Sequence, residues 1–444
     1  MIDRYKCYFT FLMIGFWLIA GFGFIADELI TPLLPLRTVF RMLSDLVFVC
    51  LGLKVLNKRG DIVVILSFVA LSFLSTVMIN HLSVVYWVNG MREFIGWMFV
   101  FPIARWFFQP EYLERLLASL DKFVFIYLVL QAPCLIVQFL RYGAGDAGGG
   151  TWGHGYSGIV SISICFGSYY LMTRRWKLAL TYWENLKANK ILLILLLPTL
   201  LNETKITFIL IPIYFLLLLK TDRAFGLKVL ASSPLILIFF VGFGWLYLQT
   251  TNQDGNEVFS VDNFEYYLTG GDENIELVDL AEALRDNPDL SDDAEMNVWT
   301  VDLPRILKLG IMDDAVDDSA GGRWFGAGGS LFKASTVLSP TPYSKEHEWM
   351  FHGTRPYILF LFMQYGYLGL LWMLCVIIYL LDFKTSKISY FALGLKLYFL
   401  SIFLGLLIYN DAWESAAFCF FMLMPLFLSS RLTTPPLNPE THID

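Results

Sequence analysis

The stretch Pro356-Tyr-Ile-Leu-Phe-Leu-Phe-Met-Gln364-Tyr-Gly366-Tyr-Leu-Gly369-Leu-Leu-Trp-Met-Leu-Cys-Val-Ile-Ile-Tyr-Leu-Leu381 contains no charged residue. It is longer than the roughly 20 apolar residues that a helix needs to cross a bilayer. Similar windows centre on residues 8–26, 39–56, 62–80, 84–108, 120–140, 157–173, 191–202, 205–219, 227–248, 389–409 and 413–430. Of the 444 residues 57% are hydrophobic and 16% charged, against about 25% charged in an ordinary soluble domain. That balance excludes a soluble globular enzyme and a disordered or nucleic-acid-binding chain. The expected fold is an all-α integral membrane protein of about twelve spans, the first read as an uncleaved helix.

Charge divides the chain. Residues 249–355 hold 21 of the 39 acids and 7 of the 32 bases, so that segment is strongly acidic and the remainder basic. Its glycines and turn dipeptides set it apart as a water-facing loop of near-domain size. The expected organisation is an N-terminal bundle of about nine helices over 1–248, an acidic loop over 249–355, three helices over 356–430 and a tail over 431–444. Lysine and arginine collect on alternate connections, including Lys54, Lys58, Arg59, Arg174, Arg175, Lys177, Lys187 and Lys190. The positive-inside rule therefore puts both termini in the cytoplasm and the acidic loop outside. His81, His154, His347 and His352 fall on the outer side, and His442 in the tail.

Within the loop, residues 272–285 and 296–311 read as short amphipathic helices. The pairs Asp292-Asp293, Asp313-Asp314 and Asp317-Asp318 fit no calcium loop, so a solvated acidic surface is expected and no metal. Gly326-Ala-Gly328-Gly329 lacks the alternating strands and helices of a dinucleotide site. All six cysteines lie in or beside apolar runs, which implies no disulfide framework.

Ionisable groups near membrane depth usually face a partner, a cavity or a substrate. Arg41 and Asp45 stand four apart, and Arg92 adjoins Glu93, so both sets are expected to pair locally. Glu203 with Lys205, Arg355, and Asp411 with Glu414 lie at outer helix ends. Arginine forks match phosphate oxygens, and a histidine beside them can take a proton from an incoming hydroxyl near neutral pH.

The order of motifs adds to this. Arg141-Tyr-Gly-Ala-Gly-Asp-Ala-Gly-Gly-Gly-Thr151-Trp-Gly-His154-Gly-Tyr-Ser157 is followed by Pro198-Thr-Leu-Leu-Asn-Glu203-Thr-Lys205-Ile-Thr. Then come Arg305-Ile-Leu-Lys-Leu-Gly, Trp324-Phe-Gly326-Ala-Gly328-Gly329-Ser-Leu-Phe332, and Arg355-Pro-Tyr357 running to Gln364-Tyr-Gly366. Over roughly residues 141–380 this succession resembles the O-antigen polymerase and O-antigen ligase superfamily. Two departures stand out: Arg355 occupies the family's histidine register, and Gln364 replaces its usual glutamate.

The resemblance implies a GT-C-like fold whose outer loop caps a cavity, and a metal-independent, cofactor-independent glycosyltransferase. Its donor is a glycan on a polyprenyl diphosphate, and its acceptor a sugar, lipid or protein hydroxyl. Its surroundings are the bilayer and a chain-length regulator or other polysaccharide-assembly protein, with no nucleic acid. By motif, His352 is the candidate base with His347 in reserve. Arg305, Lys205, Arg355 and Arg323 would hold diphosphate, while His154, Glu203 and Gln364 would serve the acceptor or the structure. Polymerase is the expected activity in a bacterial inner membrane, with ligase or protein oligosaccharyltransferase as alternatives using the same donor. A transporter of polar solute or lipid-linked glycan is the alternative of another class, and a sensor or assembly scaffold a third.

Overall fold

The computed structural model describes residues 2–30, 36–108, 110–143, 148–177, 179–201, 206–219, 305–331, 338–339, 341, 343–344, 356–381 and 390–429. Among them the regular elements are helices, without strands. Five are long and apolar enough to cross a membrane, within Arg4–Leu29, Arg59–Ile79, Tyr112–Tyr142, Tyr357–Leu381 and Ala392–Tyr409, and Lys190–Leu201, Thr207–Leu218 and Ala416–Phe427 are shorter apolar helices. The chain is an α-helical membrane protein. Where the bilayer offers no hydrogen bonds to the backbone, helices satisfy it internally.

The principal helices are α1 (Ile2–Ala20), α2 (Leu36–Val55), α3 (Arg59–Phe73), α4 (Val84–Met91), α5 (Ile95–Phe107), α6 (Pro110–Tyr142), α7 (Ser157–Arg175), α8 (Tyr182–Ala188), α9 (Lys190–Ile194), α10 (Thr207–Leu218), α11 (Arg305–Asp317), α12 (Gly322–Phe325), α13 (Tyr357–Leu381), α14 (Tyr390–Tyr409) and α15 (Ala416–Ser429). Helix α5 packs along α15 and α2, and α7 along α6, α10 and α14. In α5 only Arg105 and Trp106 escape full burial, and α7 is buried from Ser157 to Thr173. Helices apolar on every side suit a central position, and serines at 161, 163 and 168 let neighbours approach α7 closely.

Two departures from the expected spans matter. The window 84–108 is two helices, α4 and α5, joined by a tight turn over Arg92–Phe94. The window 356–381 is broken at Gly366, whose φ of 61° and ψ of −157° are not helical. In the loop, the helix expected at 296–311 is α11, seen from Arg305 to Asp317, while 272–285, 227–248, Asp292-Asp293 and His442 lie outside the described residues. The six cysteines are free thiols.

Each end of the bundle is fastened by polar groups. At one end Arg105 meets Asp61 at 2.9 Å, Tyr379 donates to the same carboxylate at 3.0 Å, and Arg174 and Tyr170 converge on Asp121. At the other end lie the turns after α1, α3, α6 and α14, together with α4, α12 and the start of α13. The segments singled out by motif gather there.

Candidate functional site

The glycine-rich turn after α6 is inserted into the bundle. Gly150 N donates to Gln138 Oε1 at 2.7 Å and Thr151 N to Gln131 Oε1 at 2.9 Å. Gln131 Nε2 donates back to Thr151 Oγ1 at 2.8 Å, and Trp152 Nε1 to Tyr127 Oη at 2.8 Å. Tyr127, Gln131 and Gln138 share one face of α6, and all three are fully buried. Two glutamines inside an apolar run are the sequence signal for this dock.

The turn leads to a row of arginines at the helix ends. Arg37 donates to Asp27 at 3.3 Å and to Trp152 O at 3.1 Å, with its guanidinium 4.8 Å from the centre of the Tyr156 ring. Arg41, one turn along α2, lies 3.8 Å from Glu414. Arg92 donates to Asp45 at 3.0 Å and 3.2 Å. The arginine side chains are 31%, 38% and 30% exposed, while their acids Asp27, Glu414 and Asp45 are 8%, 6% and 11% exposed. The carboxylates are the more enclosed partners, and hydrogen bonds to them orient the guanidinium groups of Arg37 and Arg92.

Tertiary pairings add to the local ones expected: Arg41 stays within electrostatic reach of Asp45 while its ion pair is with Glu414, and Arg92 pairs with Asp45 on another helix. Helical side chains lean toward the N-terminus, so Arg41 points to the end of α2, where Glu414 meets it, and Arg92 reaches Asp45 from the neighbouring turn. A double-mutant cycle reads this directly. Arg92→Ala with Asp45→Asn is expected to show a coupling of about 1 kcal/mol, and Arg41→Ala with Asp45→Asn a smaller one. The reverse ranking in detergent unfolding would contradict the pairing.

The third part of the site is the break in α13. Helix carbonyls released at Gly366 need new donors, and the segment after α12 supplies them: Ala327 N donates to Met363 O at 2.8 Å and Gly328 N to Gln364 O at 3.0 Å. Ser75 Oγ lies 2.6 Å from Phe325 O and 3.1 Å from Gln364 O, between which its proton is shared. Asn80 donates to Gly326 O at 2.8 Å, and Gly329 N to Thr76 Oγ1 at 2.8 Å. Buried Gln364 is the hub. Its Nε2 donates to Glu93 Oε2 at 2.8 Å, and its Oε1 accepts from Ser330 N at 2.9 Å. Asn89 completes the clamp on Ser330 Oγ at 2.5 Å. Glutamine, with a donor and an acceptor on one amide, can satisfy a carboxylate and a backbone N–H at once.

Of the residues expected to act, Lys205, Glu203, His347, His352 and Arg355 lie outside the described residues. Arg305 opens α11. Arg323 meets Asp313 at 2.9 Å and Asp317 at 3.6 Å, so part of the acidic cluster is engaged with α12. His154 is exposed; its backbone N donates to Asp27 at 2.7 Å and its ring lies 5.3 Å from that of Tyr142. Gln364 has the structural role just described. Among the described residues no cluster of three or more His, Cys, Asp or Glu side chains could hold a metal ion. What this end of the bundle offers chemically is oriented guanidinium donors beside an apolar interior. No family model matches the chain, and no curated protein matches it either.

Proposed function

We propose that the protein is a glycosyltransferase that takes a glycan from a polyprenyl diphosphate carrier, acting as a polymerase of a bacterial surface polysaccharide. In this reading the chain crosses the inner membrane about twelve times, with both termini in the cytoplasm and the 249–355 loop outside. One observation supports it above the rest. The described parts of the motifs over 141–157, 324–332 and 355–366 lie far apart in sequence, and all three belong to one end of the bundle.

Diphosphate becomes a good leaving group once fixed cations neutralise its developing charge. Arg305, Lys205, Arg355 and Arg323 are the proposed ligands, and Arg37, Arg41 and Arg92 would supplement them. His352, or His347, would deprotonate the acceptor hydroxyl.

The break in α13 is a feature that favours a transporter, since discontinuous helices line transport sites. Here, however, the released carbonyls accept from amides of the 326–331 segment. A backbone so engaged is a docking joint.

Alanine at His352 or Arg305 is expected to reduce long-chain polysaccharide about a hundredfold at unchanged protein abundance. Wild-type glycan in either variant would remove that residue from the mechanism. In a deletion strain, single repeat units on the acceptor identify a polymerase and unattached long chains a ligase. Movement of unaltered solute by purified protein in vesicles would replace the enzyme reading with transport.

A further inference from the structure

The opposite end of the bundle carries a second feature, on the segment from Arg175 to Leu201. The loop into α8 is held rigidly. Lys177 N donates to Asn185 Oδ1 at 2.8 Å, and Asn185 Nδ2 donates to the carbonyls of Lys177, Leu180 and Thr181 at 2.9, 3.1 and 3.1 Å. Thr181 and Glu184 form a capping box at the start of α8. The Thr181 amide and hydroxyl both donate to Glu184 and hold its carboxyl below the ordinary glutamate range.

Two opposed stripes run through α8, α9 and the turn after them. Asn185, Leu186, Asn189, Leu192, Leu195 and Leu196 are buried. Facing out are Trp183 at 50% exposure, Lys187, Lys190, then Ile191 at 43%, Ile194 at 52% and Leu197 at 48%. The outward stripe changes character along its length: an indole and two ammonium groups come first, then aliphatic side chains leading along the bundle. Exposed Arg175 and Lys177 flank the polar part, and Glu184 is the acid on this segment's outer face. Indoles favour the headgroup level of a bilayer, lysines there attract anionic headgroups, and aliphatic side chains below them match an acyl chain.

We propose that this stripe is a binding site for an anionic phospholipid, with its headgroup phosphate between Lys187 and Lys190 and an acyl chain along Ile191, Ile194 and Leu197. Charge complementarity selects the occupant, because four outward cations on the segment oppose one carboxylate. The site is separate from the row of arginines and does not rest on the glycan-transfer reading.

The test uses the full chain purified in neutral detergent and supplied with phosphatidylglycerol and phosphatidylcholine, retained lipid being read by native mass spectrometry. The wild type is expected to prefer phosphatidylglycerol, and each of Lys187→Gln and Lys190→Gln to lower that preference about fivefold. Both lysines are exposed, so these variants should keep the fold, with gel filtration as the check. Ile194→Ala is expected to weaken retention of both lipids and leave their ratio unchanged. An unaltered ratio in the folded double lysine variant would overturn the proposal. So would displacement of phosphatidylglycerol by inorganic phosphate at comparable concentration, which would mark a site for small anions.

Discussion

Replacing Gly366 with alanine is expected to destabilise the protein by at least about 3 kcal/mol, seen as a lower unfolding temperature in detergent and faster proteolysis near residues 322–331. Two effects add. The glycine holds φ at 61° and ψ at −157°, a region essentially closed to residues with a Cβ, at about 1–3 kcal/mol. A Cβ there would also lie 2.4 Å from Trp324 C and 2.5 Å from Arg323 O, which are backbone atoms with no rotamer to change. Relieving the contact means moving the docked segment away, and that strips Met363 O of its amide donor and Gln364 O of one of its two donors in an apolar setting. Gly326→Ala should behave similarly from the other side, its Cβ falling 2.6 Å from Met363 O and Gln364 C. Gly322 is the control. Its φ is 51° but no atom lies within 4 Å of its Cβ position, so alanine should cost about 1 kcal/mol, the left-handed penalty alone. Equal losses at 322 and 366 would show that the docked segment contributes nothing to stability.

At the opposite end, Arg105→Ala is expected to cost about 3–5 kcal/mol, because it strands a buried carboxylate. Asp61 is 2% exposed at its side chain and Arg105 14%, at 2.9 Å. The guanidinium also lies 4.7 Å from the centre of the Tyr379 ring and 5.8 Å from that of Phe427, so alanine removes packing as well as charge. Asp61 would keep the Tyr379 hydroxyl and its place in the first turn of α3, where the helix dipole favours an acid. One neutral donor and a terminal dipole are weaker than a guanidinium at contact distance. The companion variant carries Arg105→Met with Asp61→Asn, removing both charges together. It is expected to recover much of the loss, since replacing a whole buried pair is far less costly than breaking it. Strictly additive losses in reversible unfolding would rule out the coupling.

These expectations depend on contacts that are not legible along the chain, for particular reasons. The arginines at 41 and 92 were visible as costly charges near membrane depth, but their partners were assigned by distance along the chain. Glu414 stood out as a charge at an outer helix end, and only helix packing set it beside Arg41. Gln364 is an unusual residue in its motif, and its role depends on Glu93 and the Ser330 amide, which only the fold brings to it. Gln131 and Gln138 are invisible to hydropathy, because averaging over a span hides an isolated amide. The helix break was missed for a similar reason: the apolar pattern of 356–381 runs through Gly366 without interruption.

The sequence alone determined the solvent in which this chain folds and the class of structure it builds there. Bilayer insertion depends on the summed hydropathy of contiguous residues, a local property that needs no knowledge of neighbours. It also marked two of the segments that meet at one end, because the glycines and polar residues around 148–157 and 322–331 stand between apolar runs. Tertiary structure decided which acid backs which arginine, where α13 breaks, and which amides fill the break. Those outcomes depend on short-range directional forces between groups up to a few hundred residues apart, and side-chain reach and helix packing choose among partners that are equivalent along the chain.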